Sequence, residues 1–191
     1  MSTKQYIRKT SLIVTKPGLV GDNPQLRTPD QTIDLSNMRF QFKTQNQDDE
    51  GPSNCSIRVW NLAPATIEKL IKLDYSKVVV QGGYEGTFGI VFSGDIKQFR
   101  TGKANQTDTY LDILAADGDL AYNYAIMAQS MTAGTPAAAR VDALIKSMAN
   151  YGVTPGQIDS EGFCGTFPRG KVLWGMTRAK LRSEIESEEG T

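Results

Sequence analysis

The sequence predicts an α+β protein in which an antiparallel β-barrel or sandwich with one short helix precedes a partly helical second segment. Two observations lead to this fold class. Apolar and polar residues alternate with period two in several short stretches of residues 1–116, which are separated by Gly, Pro, Asn and Asp. Three other stretches have apolar residues at helical spacing, and two of these follow residue 130. We therefore expect a β-barrel domain over 1–116 and a partial, largely helical second domain over 117–191.

The β domain is expected to begin with a strand over roughly 6–15. Four more period-two stretches follow it, and a short apolar run adds a further strand; they contain Met38, Phe40 and Phe42; Ile57 and Val59; Val78–Gln81; Ile90, Phe92 and Ile96; and Leu111, Ile113 and Ala115. Just before the stretch that contains Met38, Ile33 and Leu35 are apolar at odd positions, whereas the apolar residues from Met38 to Phe42 stand at even positions. This change of phase predicts a β-bulge near Ser36 and Asn37.

Helical spacing predicts three helices. The first begins at Pro64 and carries apolar residues at 67, 70 and 71, with Glu68 and Lys72 four residues apart. The second begins at Thr135 and Pro136, with Thr135 as the capping residue, and ends at 150–152; its apolar face holds Val141, Leu144, Ile145 and Met148. The third covers about 171–188, with Val172, Met176, Ala179 and Ile185 loosely on one face and an acidic end that is expected to fray.

Two polar loops are longer than hairpins require, at 17–31 and 44–54. Loops of this length are usually functional or disordered. The two cysteines, Cys55 and Cys164, are far apart and form no CxxC pair, so they are read as buried thiols, with a disulfide between them left open.

Composition excludes several function classes. The chain of 191 residues has no histidine, which removes Ser-His-Asp and Cys-His nucleophiles, His-ligated zinc and imidazole pH switches. The 21 basic and 21 acidic residues cancel, so the net charge gives no attraction to nucleic acid or to an anionic membrane. No apolar segment is long enough to span a bilayer. We expect a soluble, non-enzymatic protein made in the cytoplasm, with no cofactor and no catalytic, cofactor-binding or metal-binding residue.

Two motifs resemble known sites but fit ordinary turns better. The glycine cluster 82–89 precedes a strand, lacks the Lys-Ser/Thr of a phosphate loop and does not follow G-x-G-x-x-G, so it predicts a β-hairpin. Asp117-Gly118-Asp119 begins like a calcium loop, but Gln129 stands where the twelfth-position Glu is required, so a turn after a strand is favoured. The carboxylates that an enzyme would have to use are Asp95, Asp108, Asp112, Asp117 and Asp119.

A nucleic-acid platform is the alternative interpretation of the β domain. Single-strand binding barrels combine stacking aromatics with a positive groove. The candidate aromatics are Trp60, Tyr84, Phe88, Phe99 and Tyr110, and the candidate cations are Arg39, Lys43, Arg58, Lys97, Arg100 and Lys103. Because solvated strand faces have the same composition, specific nucleic-acid binding is the less favoured interpretation.

The order of several short motifs resembles the first part of tail baseplate hub proteins of long-tailed bacteriophages and of the related hub components of contractile injection systems. The motifs are a strand ending IRVWNL at 57–62, a helix opened by Pro64, VVVQGGY at 78–84, VFSGDI at 91–96, TYLDILAADG at 109–118, MTAGTP at 131–136 before a helix that ends at 152–153, and PRGKV at 168–172.

The resemblance implies a tail-tube-like antiparallel β-barrel assembled as a ring, usually a trimer with two such domains in each subunit. It implies a longer protein, so the second domain here is expected to be incomplete. The implied role is a structural part of a phage or prophage tail baseplate hub that joins the tail tube to the spike and lets DNA pass, located in the virion tail. The implied partners are further copies, the tail tube, the spike and other baseplate proteins, without specific nucleic-acid binding or membrane insertion. The alternative function is a β-barrel binding module for oligonucleotide or saccharide.

Overall fold

A computed structural model describes residues 7–16, 32–46, 51–72, 76–154, 165–166 and 168–189, with side chains described as far as Ser183. The chain divides into two compact units, Met1–Asp119 and Leu120–Thr191. The elements of the first unit are β1 (Arg8–Thr15), β2 (Thr32–Asp34), β3 (Phe40–Gln45), β4 (Asn54–Trp60), α1 (Pro64–Lys72), β5 (Lys77–Tyr84), β6 (Thr87–Lys103) and β7 (Thr109–Ala116). Next come α2 (Asp119–Tyr124), β8 (Ile126–Met131), α3 (Ala137–Met148), a 3-10 turn (Ala149–Tyr151), β9 (Lys171–Met176) and α4 (Thr177–Glu189).

The first unit is a single seven-stranded antiparallel sheet in the order β2-β1-β5-β6-β7-β4-β3. The chain is therefore α+β, with a predominantly antiparallel β architecture and a few short helices, as the sequence predicts. Each strand that was expected from period-two spacing is present, although the structure extends most of them by several residues.

The sheet curls because its two edge strands are joined by a short connection. If the seven-stranded sheet were flat, its edge strands β2 and β3 would lie six inter-strand spacings apart, which is roughly 29 Å. Six residue steps separate Asp34 from Phe40, and such a segment reaches at most about 21 Å. The sheet must therefore roll up until its edges approach each other. β2 and β3 do not pair, so the barrel stays open between them.

The bulge predicted near Ser36 and Asn37 is wrong: a turn joins the two edge strands there. Leu35 is buried, and its backbone N–H donates to the carbonyl of Leu12. The Ser36 hydroxyl accepts from the Leu12 N–H at 3.0 Å and donates to the Asp34 carboxylate. The phase changes because one strand ends and another begins on the opposite edge.

Inward-facing residues of the curled sheet form one apolar core together with α1. Leu12, Ile57, Val80, Leu111 and Ile113 are completely buried. From α1, Leu70 is completely buried in this core and Ile67 packs against it. Glu68 and Lys72 form the expected ion pair. Ile71, which the spacing also assigned to the buried face, is half exposed.

β6 is the longest strand and contains two bulges, which change the face on which its side chains lie. Phe92 pairs with Val80 and points into the core, whereas Ile90 pairs with Gln81. Val91 is the extra residue between them, so the expectation that Ile90 shares the face of Phe92 is wrong, and Ile90 is 63% exposed. The second bulge lies between Ile96 and Gln98.

The second unit contains a two-stranded antiparallel sheet, β8 and β9, packed on α3. Neither α2 nor β8 was predicted. Residues 171–176 were expected to begin a helix, but they form β9, and α4 begins only at Thr177. Three residues of the expected apolar face, Val172, Met176 and Ala179, are exposed, and Leu173 is buried instead. The side chain of the fourth, Ile185, lies outside the described residues.

The helix α3 matches the second predicted helix except at its start. Val141 and Leu144 are buried, as expected. Pro136, in an extended conformation, is the residue that precedes the first turn, and it makes no side-chain capping bond. Thr135 does not cap the helix, because its hydroxyl donates to the Thr132 carbonyl at 2.8 Å. Gly152, in the left-handed region at φ 80°, follows the 3-10 turn at the other end.

Several expectations fall on residues outside the described ranges. They concern the loop 17–31, the middle of the loop 44–54 and Cys164. Cys55 is buried and forms no disulfide. Among the described residues, no helix is both long enough and apolar enough to cross a membrane.

Candidate assembly surfaces

The first candidate surface is the tip of the β5–β6 hairpin. The glycine cluster 82–89 forms this hairpin, as predicted, and Gly86 allows its tight turn with φ 93°, which L side chains rarely adopt. Residues 84–91 are all exposed. We define the hairpin surface as the exposed apolar side chains at this tip and on the adjacent β1 segment, namely Ile7, Tyr84, Phe88, Ile90 and Val91.

The hairpin surface is held rigidly by its neighbours on one side. β1 pairs with β5 along the whole hairpin, from Arg8 opposite Tyr84 to Thr15 opposite Lys77. The Glu85 N–H donates to the Ile7 carbonyl at 3.2 Å, and Lys9 forms an exposed ion pair with the Glu85 carboxylate at 3.3 Å. The hairpin is therefore a three-stranded arm at its tip.

The other side of the hairpin is a strand edge. β7 pairs with β6 only from Asp95 to Lys103, whereas β5 pairs with β6 from Thr87 to Asp95. Within the described ranges, no strand pairs with residues 87–94 on the side away from β5. An unpaired edge next to exposed apolar side chains is the usual place for another strand to add.

The second candidate surface is the outward side of β4, β7 and the end of β6. Arg58, Asp112 and Arg100 are in register across three strands, and Trp60, Tyr110 and Gly102 form the next row. We define the basic face as these side chains with two flanking cations: Arg39, Lys43, Arg58, Trp60, Arg100, Tyr110 and Asp112. The face carries four cations and one carboxylate.

The aromatic rings of the basic face are covered by the chain's own arginines. The Arg39 guanidinium lies 4.7 Å from the Trp60 ring centroid, and that of Arg58 lies 4.2 Å from the Tyr110 ring centroid. Arg58 also donates to both oxygens of Asp112, at 2.6 and 2.8 Å. These hydrogen bonds raise the pKa of Arg58 above its ordinary value. A base that stacked on either ring would first have to displace a guanidinium.

The predicted stacking residues do not form one platform. Trp60 and Tyr110 are cross-strand neighbours on the basic face, whereas Tyr84 and Phe88 lie on the hairpin surface. Phe99 packs against the core. Among the candidate cations, Lys97 lies at a bulge and is ion-paired with Asp119 at 2.8 Å.

The candidate carboxylates lie in different surroundings. Asp95 is buried within β6, Asp112 faces Arg58, and Asp117 lies in the turn after β7 that the sequence predicts. Asp108 accepts from the side-chain amides of Asn61 at 3.0 Å and Asn105 at 2.9 Å, and these bonds lower its pKa. In the part of the chain that the structure describes, no three acidic, Cys or His side chains are placed to hold a metal ion.

Two other features are a buried thiol and a cavity in the second unit. Cys55 is 2% exposed, and burial raises the pKa of its thiol to about 11, so the nucleophilic thiolate is rare at neutral pH. A cavity of about 430 Å³ in the second unit lies between the end of β8 and α3, and its polar lining includes Gln129, Thr132, Thr135 and Lys146. In this lining, the Thr135 hydroxyl donates to the Thr132 carbonyl of the same loop at 2.8 Å.

Comparison with known proteins identifies a shared fold. No protein-family model and no curated protein matches the chain. Eight chains of known structure match it. One belongs to the half-lidded structure of the Francisella PdpA–VgrG complex, with a TM-score of 0.51 and 7% sequence identity. The match covers 94% of this chain but 28% of that chain. The protein therefore shares its fold with about a quarter of a component of that complex.

Proposed function

We propose that this protein is a structural component of a phage or prophage tail baseplate hub. In this role it forms part of a trimeric ring that joins the tail tube to the spike and lets DNA pass. It is made in the bacterial cytoplasm, resides in the virion tail and has no catalytic activity. The observation that carries the proposal is the hairpin surface beside the open edge of β6.

This geometry suits a ring subunit. A ring requires each copy to offer an unsatisfied surface at a fixed angle to its neighbour. The hairpin arm supplies backbone hydrogen-bonding groups at 87–94 for strand addition and apolar side chains such as Phe88 and Ile90 for burial. The curled sheet behind the arm keeps it in position.

Two independent comparisons support the proposal. Five of the seven sequence motifs that resemble tail hub proteins fall on β4, α1, β5, β6 and β7, which build the curled sheet and its hairpin, and the other two, at 131–136 and 168–172, lie in the second unit. The fold match to a chain of the PdpA–VgrG complex covers nearly the whole sequence. That complex is an assembly of different proteins, and a role as one part of a larger assembly is consistent with the match.

The proposal of a non-enzymatic role rests on the side-chain chemistry. The sequence contains no histidine. Three of the five candidate carboxylates have identified structural partners: Asp108 has Asn61 and Asn105, Asp112 has Arg58, and Asp119 has Lys97. These contacts stabilise turns and strand faces.

The test uses a double substitution in the hairpin surface, Phe88→Asp with Ile90→Asp. A matched control is Ser56→Asp, an exposed outward position of β4 in the same sheet. Tail particles are purified from bacteria that produce each tagged version, and the tag is located by immunogold electron microscopy.

We expect the wild-type and control proteins at one end of the tail, and the hairpin variant absent from particles although its circular dichroism remains that of a β protein. Labelling away from the tail end, or absence of the wild-type protein from all particles, would contradict the proposed function. Normal incorporation of the hairpin variant would show that another surface makes the ring contact.

A second candidate function is the binding of an oligonucleotide or saccharide by the basic face. The observation that favours it is the presence of four cations around Trp60 and Tyr110 on one side of the sheet. Phosphate contacts would make binding fall steeply with salt. Fluorescence anisotropy with single-stranded DNA at two salt concentrations separates this candidate from the first, and a carbohydrate array tests the saccharide. Absence of binding by the wild-type protein in both assays would remove the candidate.

A further inference from the structure

The β8–β9 sheet of the second unit has an apolar outward face. Three cross-strand pairs make up this face: Ile126 with Met176, Ala128 with Trp174, and Ser130 with Val172. Ile126, Val172 and Trp174 are 65%, 67% and 69% exposed. We define the ribbon face as these six side chains.

The opposite side of the same two strands also carries apolar side chains, together with Gln129 and Lys171. Met127 and Leu173 are buried there in a cluster with Leu144 of α3. A sheet with one face in water normally alternates apolar inward and polar outward residues. A two-stranded sheet that carries apolar side chains on both faces has the pattern of a sheet covered on both sides.

The area of the ribbon face is sufficient for a specific contact. One tryptophan, an isoleucine, a valine and a methionine that are half to two-thirds exposed present roughly 500 Å² per copy, given that a buried aromatic covers 150–250 Å². Exposed apolar patches of this size mark interaction sites. Two such faces in contact bury about 1,000 Å², which is the lower limit of specific interfaces.

Charge favours a second copy of the same chain as the occupant. The ribbon face carries no charged side chain. Pairing a face with itself places like charges opposite each other, and this penalty is absent when the face is uncharged. The chain as a whole carries 21 positive and 21 negative residues, so two copies do not repel at long range.

We propose that two copies of this protein pair through their ribbon faces in a two-fold contact, with Trp174 of each copy buried by the other. Such a contact is isologous, which means that the same patch is used on both copies. It cannot close a ring of three, so it is a self-contact distinct from the one at the hairpin surface. The inference holds whether or not the chain is a tail protein.

The first test is the oligomeric state of the purified protein by sedimentation equilibrium. The wild-type protein is expected to be a dimer at about 100 µM, the concentration at which even a weak specific contact with a micromolar Kd is populated. Trp174→Lys is expected to raise the dimer Kd about 100-fold or more, because a buried tryptophan is a typical hot spot and each dimer loses two. The matched control, Ser56→Lys on the outward side of β4, should leave that Kd unchanged.

Folding of the variant is checked separately. Trp174 is mostly exposed, so Trp174→Lys should retain the wild-type far-ultraviolet circular dichroism. Ile126→Lys, on the other strand of the ribbon face, is the second variant and should weaken the dimer in the same direction. A wild-type monomer at that concentration, or an oligomer that both variants leave intact, overturns the proposal.

A mixing experiment tests the symmetry. Tagged Trp174→Lys is immobilised and offered untagged wild-type protein. In an isologous contact both copies need an intact ribbon face, so the variant should retain less wild-type protein than tagged wild-type does. Equal retention would mean that the ribbon face binds a different surface of the second copy, and the two-fold contact would be wrong. A stable trimer that Trp174→Lys dissociates would also overturn it.

Discussion

The outward faces of the two sheets differ in the residues that they present to the solvent. On the seven-stranded sheet, the outward rows carry Arg58, Asp112 and Arg100, and the arginine and carboxylate of the central pair hold each other in a bidentate contact. On the β8–β9 sheet, the corresponding rows carry Trp174 and Val172. Both sheets bury apolar side chains on their inward faces, so the outward faces are what distinguish them.

This difference shows which surface needs a partner. A charged row that forms its own ion pairs and cation–π contacts is stable when it is exposed to water. An apolar row exposes surface whose burial is favourable at roughly 25 cal/mol per Å². The hairpin surface is the exception within the first unit, because there the sheet runs beyond its core and apolar residues such as Ile90 are exposed.

The sizes of the two apolar clusters add to the contrast. Fourteen buried side chains form the core of the curled sheet, whereas the cluster around Leu173 has three buried members in the described part of the chain. Two-stranded sheets are marginal in water unless they pack on something else. Covering the ribbon face would therefore raise the stability of the second unit more than covering an equal area would raise the stability of the first unit.

The largest expected effect of a substitution is at an inward position of the seven-stranded sheet. Ile113→Ala removes a completely buried side chain from the centre of the core, and we expect the free energy of unfolding to fall by about 2–5 kcal/mol. The outward control, Ser56→Ala on the paired strand β4, should change it by less than about 0.5 kcal/mol. Urea denaturation measures both. Equal effects at the two positions would mean that the sheet has no distinct inner face.

Sequence patterns predicted the first unit better than the second. Alternation with period two identified strands such as β4 and β7 because each has one buried and one solvated face. β9 was mistaken for a helix because Val172 and Met176 are four residues apart, a spacing that fits both periods. Trp174, between them, also lies outward, so apolar residues recur at every second position on the exposed side. The rule that apolar faces are buried, on which the prediction relied, does not hold for this face.

The candidate surfaces could be predicted only in part. The glycine cluster indicated the hairpin, but its projection depends on the bulge at Val91, which turns Ile90 away from the core. Likewise, the turn at 35–39 connects opposite edges of the sheet because β2 and β3 are the two edge strands in the strand order. Bulges and strand order are set by contacts between distant residues, which local periodicity does not contain.

The next largest change in the free energy of unfolding is expected at one of two glycines of β6, Gly94 and Gly102. A Cβ at Gly94 would lie 2.7 Å from the Ala116 carbonyl oxygen, which belongs to the backbone of β7 and cannot move away. We expect Gly94→Ala to lower the free energy of unfolding by about 1–3 kcal/mol. At Gly102, the Cβ would instead meet the end of the Tyr110 ring at 2.5 Å, and this ring can swing outward.

Gly102→Ala should therefore lower the free energy of unfolding by less than about 1 kcal/mol. The smaller conformational freedom of alanine in the unfolded chain offsets part of the strain. The displaced ring should lose its contact with Arg58, and this loss would appear as a change in the Tyr110 ring resonances. A cost at Gly102 as large as that at Gly94 would show that the outward face is packed as tightly as the core.

A smaller effect is expected on the ribbon face. Val172→Thr gives this face one more polar position and makes it more like the outward rows of the first unit. Because Val172 is mostly exposed, the stability of the isolated monomer should change by less than about 0.5 kcal/mol. Leu173→Ala, the adjacent inward position, is the contrast and should destabilise the second unit by about 2 kcal/mol or more. Thermal unfolding at low protein concentration compares them, and a reversed order would contradict the assigned faces.

The smallest effect concerns the polar end of the first unit's sheet, where Asn61 and Asn105 donate to Asp108 and lower its pKa. Because the pKa in the folded state lies below the ordinary value of about 3.9, the stabilisation is present above that value and is lost as pH falls through the folded pKa. Asn61→Gly removes the stronger donor and keeps the left-handed backbone at φ 55°, which alanine would strain. We expect the pKa of Asp108 to rise toward the ordinary value, measured by carboxyl NMR titration. Asn105→Ala should raise it less, and a larger rise there would mean that the loop within 104–108, rather than Asn61 from the end of β4, holds the carboxylate.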